Sequence, residues 1–222
     1  MAHRSDINDM ARRGSGLAAA RPRRGTFWIT VIAASTGGPA ALGRVIPRLP
    51  ADYPTPVLVV QHMPPVFTAS LAQSLDARSA LPVFEAAHGM ALARGHVYVA
   101  PGGRHLVVRR DQGFVRTGLD DGPEECGVRP AADVLLRSLA HLATPSPALV
   151  AVLTGMGHDG REGLRLFSPR RRHCLVQSAD TCVVNGMPGA LVKAGLADEV
   201  LPLDGIAGRL ADLATAPLVA SR

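Results

Sequence analysis

Nine short apolar runs, separated by turn residues and helical patterns, restrict this chain more than any other feature. They are "FWITVIAA" (27–34), "PVLVVQHM" (56–63), "LPVFEAA" (81–87), "HVYVA" (96–100), "HLVVRR" (105–110), "GFVRT" (113–117), "ALVAVLTG" (148–155), "HCLVQS" (173–178) and "DEVLPL" (198–203). Several are apolar throughout instead of alternating. A strand with two apolar faces must be covered on both, the condition of a parallel sheet held between helices. Helical patterns fall between the runs, at 39–49, 68–79, 130–142, 160–167, 188–194 and 204–213. In 130–142, Leu135, Leu139 and Leu142 share one face, and Pro130 suits a first helical turn. The alternation predicts an α/β fold: a doubly wound, mostly parallel sheet with helices on both faces. The middle departs from it. Residues 95–117 carry turn signals at Pro101-Gly102-Gly103 and Asp111-Gln112-Gly113 and leave no room for a helix. That stretch reads as a small antiparallel meander or hairpin.

At 222 residues and 47% apolar, the chain can bury the core of one sizeable domain. No apolar run approaches the roughly 20 residues of a membrane span, so no membrane insertion is expected. The pair Arg12-Arg13 is followed only by "GLAAA" before "RPRRG", too short for a secretory apolar region. A cytoplasmic location is expected. Cys126, Cys174 and Cys182 form no CxxC and read as reduced thiols, with no structural zinc.

The net charge of +6 raises the question of nucleic acid. Its distribution argues against one. Residues 1–25 hold six arginines against Asp6 and Asp9, a net of +4, which leaves +2 for all the rest. Residues 1–26 therefore read as a disordered basic tail and 27–222 as the folded domain. Aromatics are only 4%, too few for base-stacking platforms.

Chemistry concentrates where strands end. In an open parallel sheet, the loops at the carboxyl ends of the strands build the site. The first run ends in Ser35, the second in Gln61-His62, and the seventh leads into "GMGHDG" with His158 and Asp159. If these strands are neighbours, a Ser, a His and an Asp meet on one edge, the makings of a hydrolytic triad. "AASTG" (33–37) is close to the G-x-S-x-G nucleophile elbow, with Ala33 at the first glycine position. Other readings stand beside this one. Ser35 also suits a helix N-cap, and Asp159 suits a cap for the helix at 160. His158 competes with His62 as base; its adjacency to Asp159 counts against it, because neighbours in a loop usually point apart. A phosphate loop is disfavoured, since neither G-x-G-x-x-G nor a Walker A motif occurs.

Six segments, in order, resemble one known family, the catalytic domain of the chemotaxis protein-glutamate methylesterases (CheB). They are "IAASTGGPAAL" (32–42), "VVQHMPPVFTASLAQSL" (59–75), "GHVYVAPGGRHLVV" (95–108), "RPAADVLLRSLA" (129–140), "VLTGMGHDGREGL" (152–164) and "VVNGMPGALVKAGLADEVLPL" (183–203). The resemblance covers residues 27–207. It implies hydrolysis of glutamate γ-methyl esters on the cytoplasmic domains of chemoreceptors, with release of methanol, and possible deamidation of receptor glutamines. It puts the nucleophile on Ser35, the base on His62 and the acid on Asp159. Thr36 and Met156 fall on positions that line the family's site, with the Met156 amide as an oxyanion donor. It implies no metal and no organic cofactor.

Three departures from the family pattern stand out. Family members usually carry an N-terminal receiver domain, and here the basic tail stands in its place. The expectation is a stand-alone, monomeric enzyme controlled by a separate regulatory protein or by expression. "SPRRRH" (168–173) replaces a small, glycine-containing turn, and its arginine run reads as solvated or as facing an acidic partner. Ala131 replaces a common serine after Arg-Pro. Two other functions compete: a non-catalytic docking module of a signalling system, and a serine esterase acting on another protein carboxyl ester.

Overall fold

The computed structural model describes residues 29–142 and 147–215, less the side chain of Arg170. The basic tail expected at 1–26 lies outside these residues. Seven strands form one sheet: β1 (Ile29–Ala34), β2 (Val57–Gln61), β3 (Val83–Glu85), β4 (Val97–Val99), β7 (Ala148–Val152), β8 (Arg172–Gln177) and β9 (Glu199–Leu201). Their order is β3-β4-β2-β1-β7-β8-β9, and every pairing is parallel. β5 (His105–Asp111) and β6 (Phe114–Asp120) form a separate antiparallel hairpin.

The helices are α1 (Gly38–Val45), α2 (Pro65–Asp76), α3 (Ala132–Ala140), α4 (Arg161–Arg165), α5 (Met187–Lys193) and α6 (Leu203–Thr215). Strand periodicity sorts them into two layers. Ile32 and Ala34 of β1 point into a core shared with Leu42 of α1, Leu75 of α2 and Leu210 of α6. Ile29, Val31 and Ala33 point the other way, onto Leu135 of α3, Leu164 of α4, Leu191 of α5 and Leu106 of the hairpin. All six β1 residues are buried, which explains the unbroken apolar run. Thr30 is the exception in polarity. Its hydroxyl bonds the Tyr53 hydroxyl and Thr55 Oγ1, each at 2.8 Å, so these three buried hydroxyls satisfy one another. Burial pushes the Tyr53 phenol up to about 12.

Two expectations are corrected. The antiparallel stretch is shorter than the turn signals suggested. Val97–Val99 belongs to the parallel sheet, between β3 and β2, and only 105–120 forms a hairpin. All three β4 residues are buried, as an interior parallel strand requires. The arginine run also differs from its reading. Arg172 is 8% exposed, and its Nη1 donates to Leu196 O (2.7 Å) and Asp198 Oδ2 (2.9 Å). It opens β8 from inside the fold, because its long stem packs there while the guanidinium finds acceptors. Arg171 lies 5.9 Å over the Phe167 ring. Among the described residues no helix is long and apolar enough to cross a membrane.

Candidate active site

The chain leaves β1 to build β2, β4 and β3 on one side and later returns to set β7 on the other. β1 is therefore the point where the order switches, and a crevice forms at its carboxyl end. Ser35 is the first residue past β1. Its N–H donates to Thr154 O (3.0 Å) on the β7 side, while the His62 N–H donates to Ala34 O (3.1 Å) on the β2 side. The ladder thus runs one residue beyond the strands and sets Ser35 between His62 and the Thr154–Gly155 segment. Gly155 is the residue that lets this happen. A Cβ there would lie 2.7 Å from Ser35 Cβ and 2.6 Å from Met187 Sδ.

His62 and Asp159 meet directly. His62 Nε2 lies 2.7 Å from Asp159 Oδ2, with both side chains nearly excluded from water. Asp159 also accepts the N–H of Ala132 (2.6 Å), of Asp133 (2.9 Å) and of Gly160 (2.9 Å). The first two are the opening amides of α3, so the aspartate caps a helix to which it does not belong. Ala131, at the N-cap, has no capping side chain of its own. Its N–H is taken by Nδ1 of buried His105 (3.1 Å), whose Nε2 donates to Pro123 O (2.9 Å). Asp159 is held on every side, and the ring of His62 is oriented by it. With Nε2 committed to the carboxylate, Nδ1 is the ring nitrogen left without a partner among the described residues. Ser35 Oγ makes no hydrogen bond among the described residues.

The turn after Ser35 departs from the elbow analogy. Among the described residues, the non-glycine positions of positive φ are Gln112 and Cys126, so Ser35 is not in a strained conformation. The left-handed residue is Gly37, at φ 81°, two positions later. The turn is made after the serine because Ser35 still belongs to the ladder. Thr36 is exposed and its carbonyl accepts from Thr154 Oγ1 (2.9 Å). Met156 is 74% exposed. The N–H groups of Thr36 and Met156 have no protein acceptor among the described residues. His158 is exposed and faces Cys126, with Nδ1 at 3.7 Å from Sγ.

Sequence reasoning missed two residues. Gln61 is buried at the end of β2, and its Nε2 donates to Ser35 O (2.9 Å) and His62 O (3.0 Å). It clips the two backbones together. The available signal was a polar residue closing an apolar strand. Asp133 is wholly buried beside Asp159, with Oδ1 accepting the Gly163 N–H (2.6 Å). Burial first, and then the charges of Asp159, Glu125 and Glu162, raise its carboxyl to about 6 against that hydrogen bond. The signal was an acid in the first turn of a helix at a site edge. Cys126, Asp133 and Asp159 bring ligand atoms within 4.8 Å of one another. Asp159 is already saturated by N–H donors, so protein hydrogen bonds account for its presence there.

Comparison with known proteins follows this geometry. The family described as CheB methylesterase matches residues 30–210. A protein-glutamate methylesterase/protein-glutamine glutaminase of Geobacillus kaustophilus is 44% identical over 202 residues, covering 90% of this chain and 57% of that protein. One of the same description from Symbiobacterium thermophilum is 49% identical over 197 residues, covering 88% and 52%. The chain thus spans about half the length of these relatives. The crystal structure of the Thermotoga maritima CheB methylesterase catalytic domain matches with a TM-score of 0.80 at 41% identity, over 86% of this chain and all of that one.

Proposed function

The chain belongs to the CheB methylesterase family, and from that premise we propose that it hydrolyses glutamate γ-methyl esters, and deamidates glutamines, on the cytoplasmic domains of chemoreceptors. The observation that carries the reading is the 2.7 Å contact between His62 Nε2 and Asp159 Oδ2, set beside Ser35 at the switch point of the sheet. An imidazole so oriented is a general base for the neighbouring hydroxyl.

Ser35 Oγ attacks the γ-carbonyl carbon, and its proton passes to His62 Nδ1. Asp159 steadies the imidazolium without taking the proton. The free amides of Thr36 and Met156 receive the charge that develops on the carbonyl oxygen. Collapse of the tetrahedral intermediate breaks the bond to the methoxy oxygen, which leaves as methanol with the proton from His62. With glutamine the leaving group is ammonia. Water, deprotonated by His62, then attacks the glutamyl–Ser35 ester and releases the glutamate carboxylate. All of these groups are protein side chains or amides.

The test is turnover of a methyl-esterified receptor fragment, followed by methanol release. Ser35→Ala removes one exposed-edge oxygen and leaves the fold intact, while the rate falls by several orders of magnitude. Retention of more than about a tenth of the rate removes Ser35 from the role of nucleophile.

A further inference from the structure

Next to the triad lies a hollow of about 470 Å³ that the mechanism does not use. Its walls include His158, Arg161 and Arg165 on one side and Asn185 and Lys193 on the other, and none of its lining residues is acidic. Lys193 is the chain's single lysine. It ends α5 on an exposed surface and has no ion-pair partner among the described residues. Arg161 and Arg165 share one carboxylate, Glu162, at 2.8 and 2.9 Å. One negative charge therefore stands against three positive ones. The hollow opens onto the catalytic loop. Gly157, in its lining, follows Met156, and Gly186 donates its N–H to Gly155 O (2.9 Å), the residue packed on Ser35. Exposed apolar side chains stand next to its lining in the chain: Met156 directly before Gly157, and Val183 two residues before Asn185.

We propose that this hollow is a subsite for carboxylates that flank the esterified glutamate, so that the preferred substrate is an acidic, amphipathic peptide segment. The proposal rests on the methylesterase reading. A methyl ester or a primary amide is neutral, so the reacting group gives electrostatics nothing to recognise. Discrimination has to come from its neighbours. An unbalanced cationic hollow beside the catalytic loop attracts acidic neighbours and repels basic ones, which sets register as well as affinity. The exposed apolar side chains take the other face of the same segment.

The experiment uses two peptides carrying one glutamate methyl ester, one flanked by glutamates and one by glutamines. Charge reversal at the hollow, Arg165→Glu with Lys193→Glu, lowers the ratio of kcat/KM on the acidic peptide to that on the neutral one by about tenfold at low salt, through KM. The drop shrinks as salt rises. The control is Arg94→Glu, the same kind of reversal at an exposed site ahead of β4, which lies on the other side of β1 from β7 and β8; it leaves the ratio unchanged. Circular dichroism reports folding. A second readout is independent of turnover: in a Ser35→Ala background, a fluorescent acidic peptide lacking the ester binds the intact hollow more tightly than the reversed one. An unchanged ratio together with unchanged binding overturns the subsite. Absence of ester hydrolysis with the binding difference retained overturns the methylesterase reading and leaves the subsite standing.

Discussion

Two buried carboxylates lie side by side at the start of α3, and they live under different rules. Asp159 collects three backbone N–H groups and the His62 ring. Asp133 collects the Gly163 N–H at 2.6 Å and the Cys126 thiol at 3.8 Å. Both are within 1% of full burial. Burial, and then the charges of Asp159, Glu125 and Glu162, drive the Asp133 carboxyl up to about 6. A buried carboxylate keeps its charge at low cost when donors replace the water it has lost. This helix start supplies enough donors for one. Asp159 received them and holds the His62 ring; Asp133 sits at the edge of ionisation.

The comparison is broken most severely from the Asp159 side. Asp159→Ala leaves the His62 ring without its orienter and exposes no water to the abandoned amides. We expect esterase activity to fall about 10⁴-fold and stability to drop by about 3 kcal/mol, measured by methanol release and by urea unfolding. The outer partners of the two carboxylates give the next contrast. His62→Gln should abolish nearly all turnover, by about a thousandfold or more. His158→Gln, whose side chain meets the thiol beside Asp133 and lines the hollow, should change kcat less than threefold. The reverse ranking would move the base from His62 to His158.

Smaller effects sharpen the comparison. Because the Asp133 carboxyl is raised in the folded state, the native protein holds more protons than the unfolded chain between its ordinary range and about 6. Its contribution is present below about pH 4 and is lost as pH rises through about 6. Asp133→Asn keeps an acceptor for the Gly163 N–H and removes the ionisation. The variant should be more stable than the parent by about 1–2 kcal/mol at about pH 8, with the gap closing toward pH 4. Parallel stability curves for the two proteins across that range would show that Asp133 does not titrate there. The smallest change expected is at Cys126. The residue is exposed, yet partial desolvation of its thiol, and then the charges of Asp159, Asp133 and Glu125, hold it up at about 11, so it is a poor nucleophile. Cys126→Ala should alter stability by less than about 0.5 kcal/mol and leave alkylation of the native protein by iodoacetamide nearly as slow as before.

What could be read in advance was set by local rules. Apolar runs with two buried faces dictate a parallel sheet, and the carboxyl-edge rule puts Ser35, His62 and Asp159 on one side of it. The helices at 39–49 and 130–142 follow from periodicity and proline; α3 lies within its bounds, and α1 starts one residue ahead of its own and ends at Val45. What stayed hidden depends on residues far apart in the chain. No spacing says that Asp159 caps α3, since that contact joins positions 27 apart through a packed interface. Adjacency in the chain ranks His158 behind His62, but the contact itself exists only once β2 and β7 take their places beside β1. Arg172 looked like one arginine of a solvated run, and only the packing of β8 against the chain at 196–198 gives it acceptors inside the fold. Val97–Val99 looked like part of a meander because turn residues follow it, yet its burial between β2 and β3 is decided by sheet order. Periodicity is a property of a segment and travels with the sequence. Desolvation and donor supply are properties of a place, and a place exists only once the chain has packed.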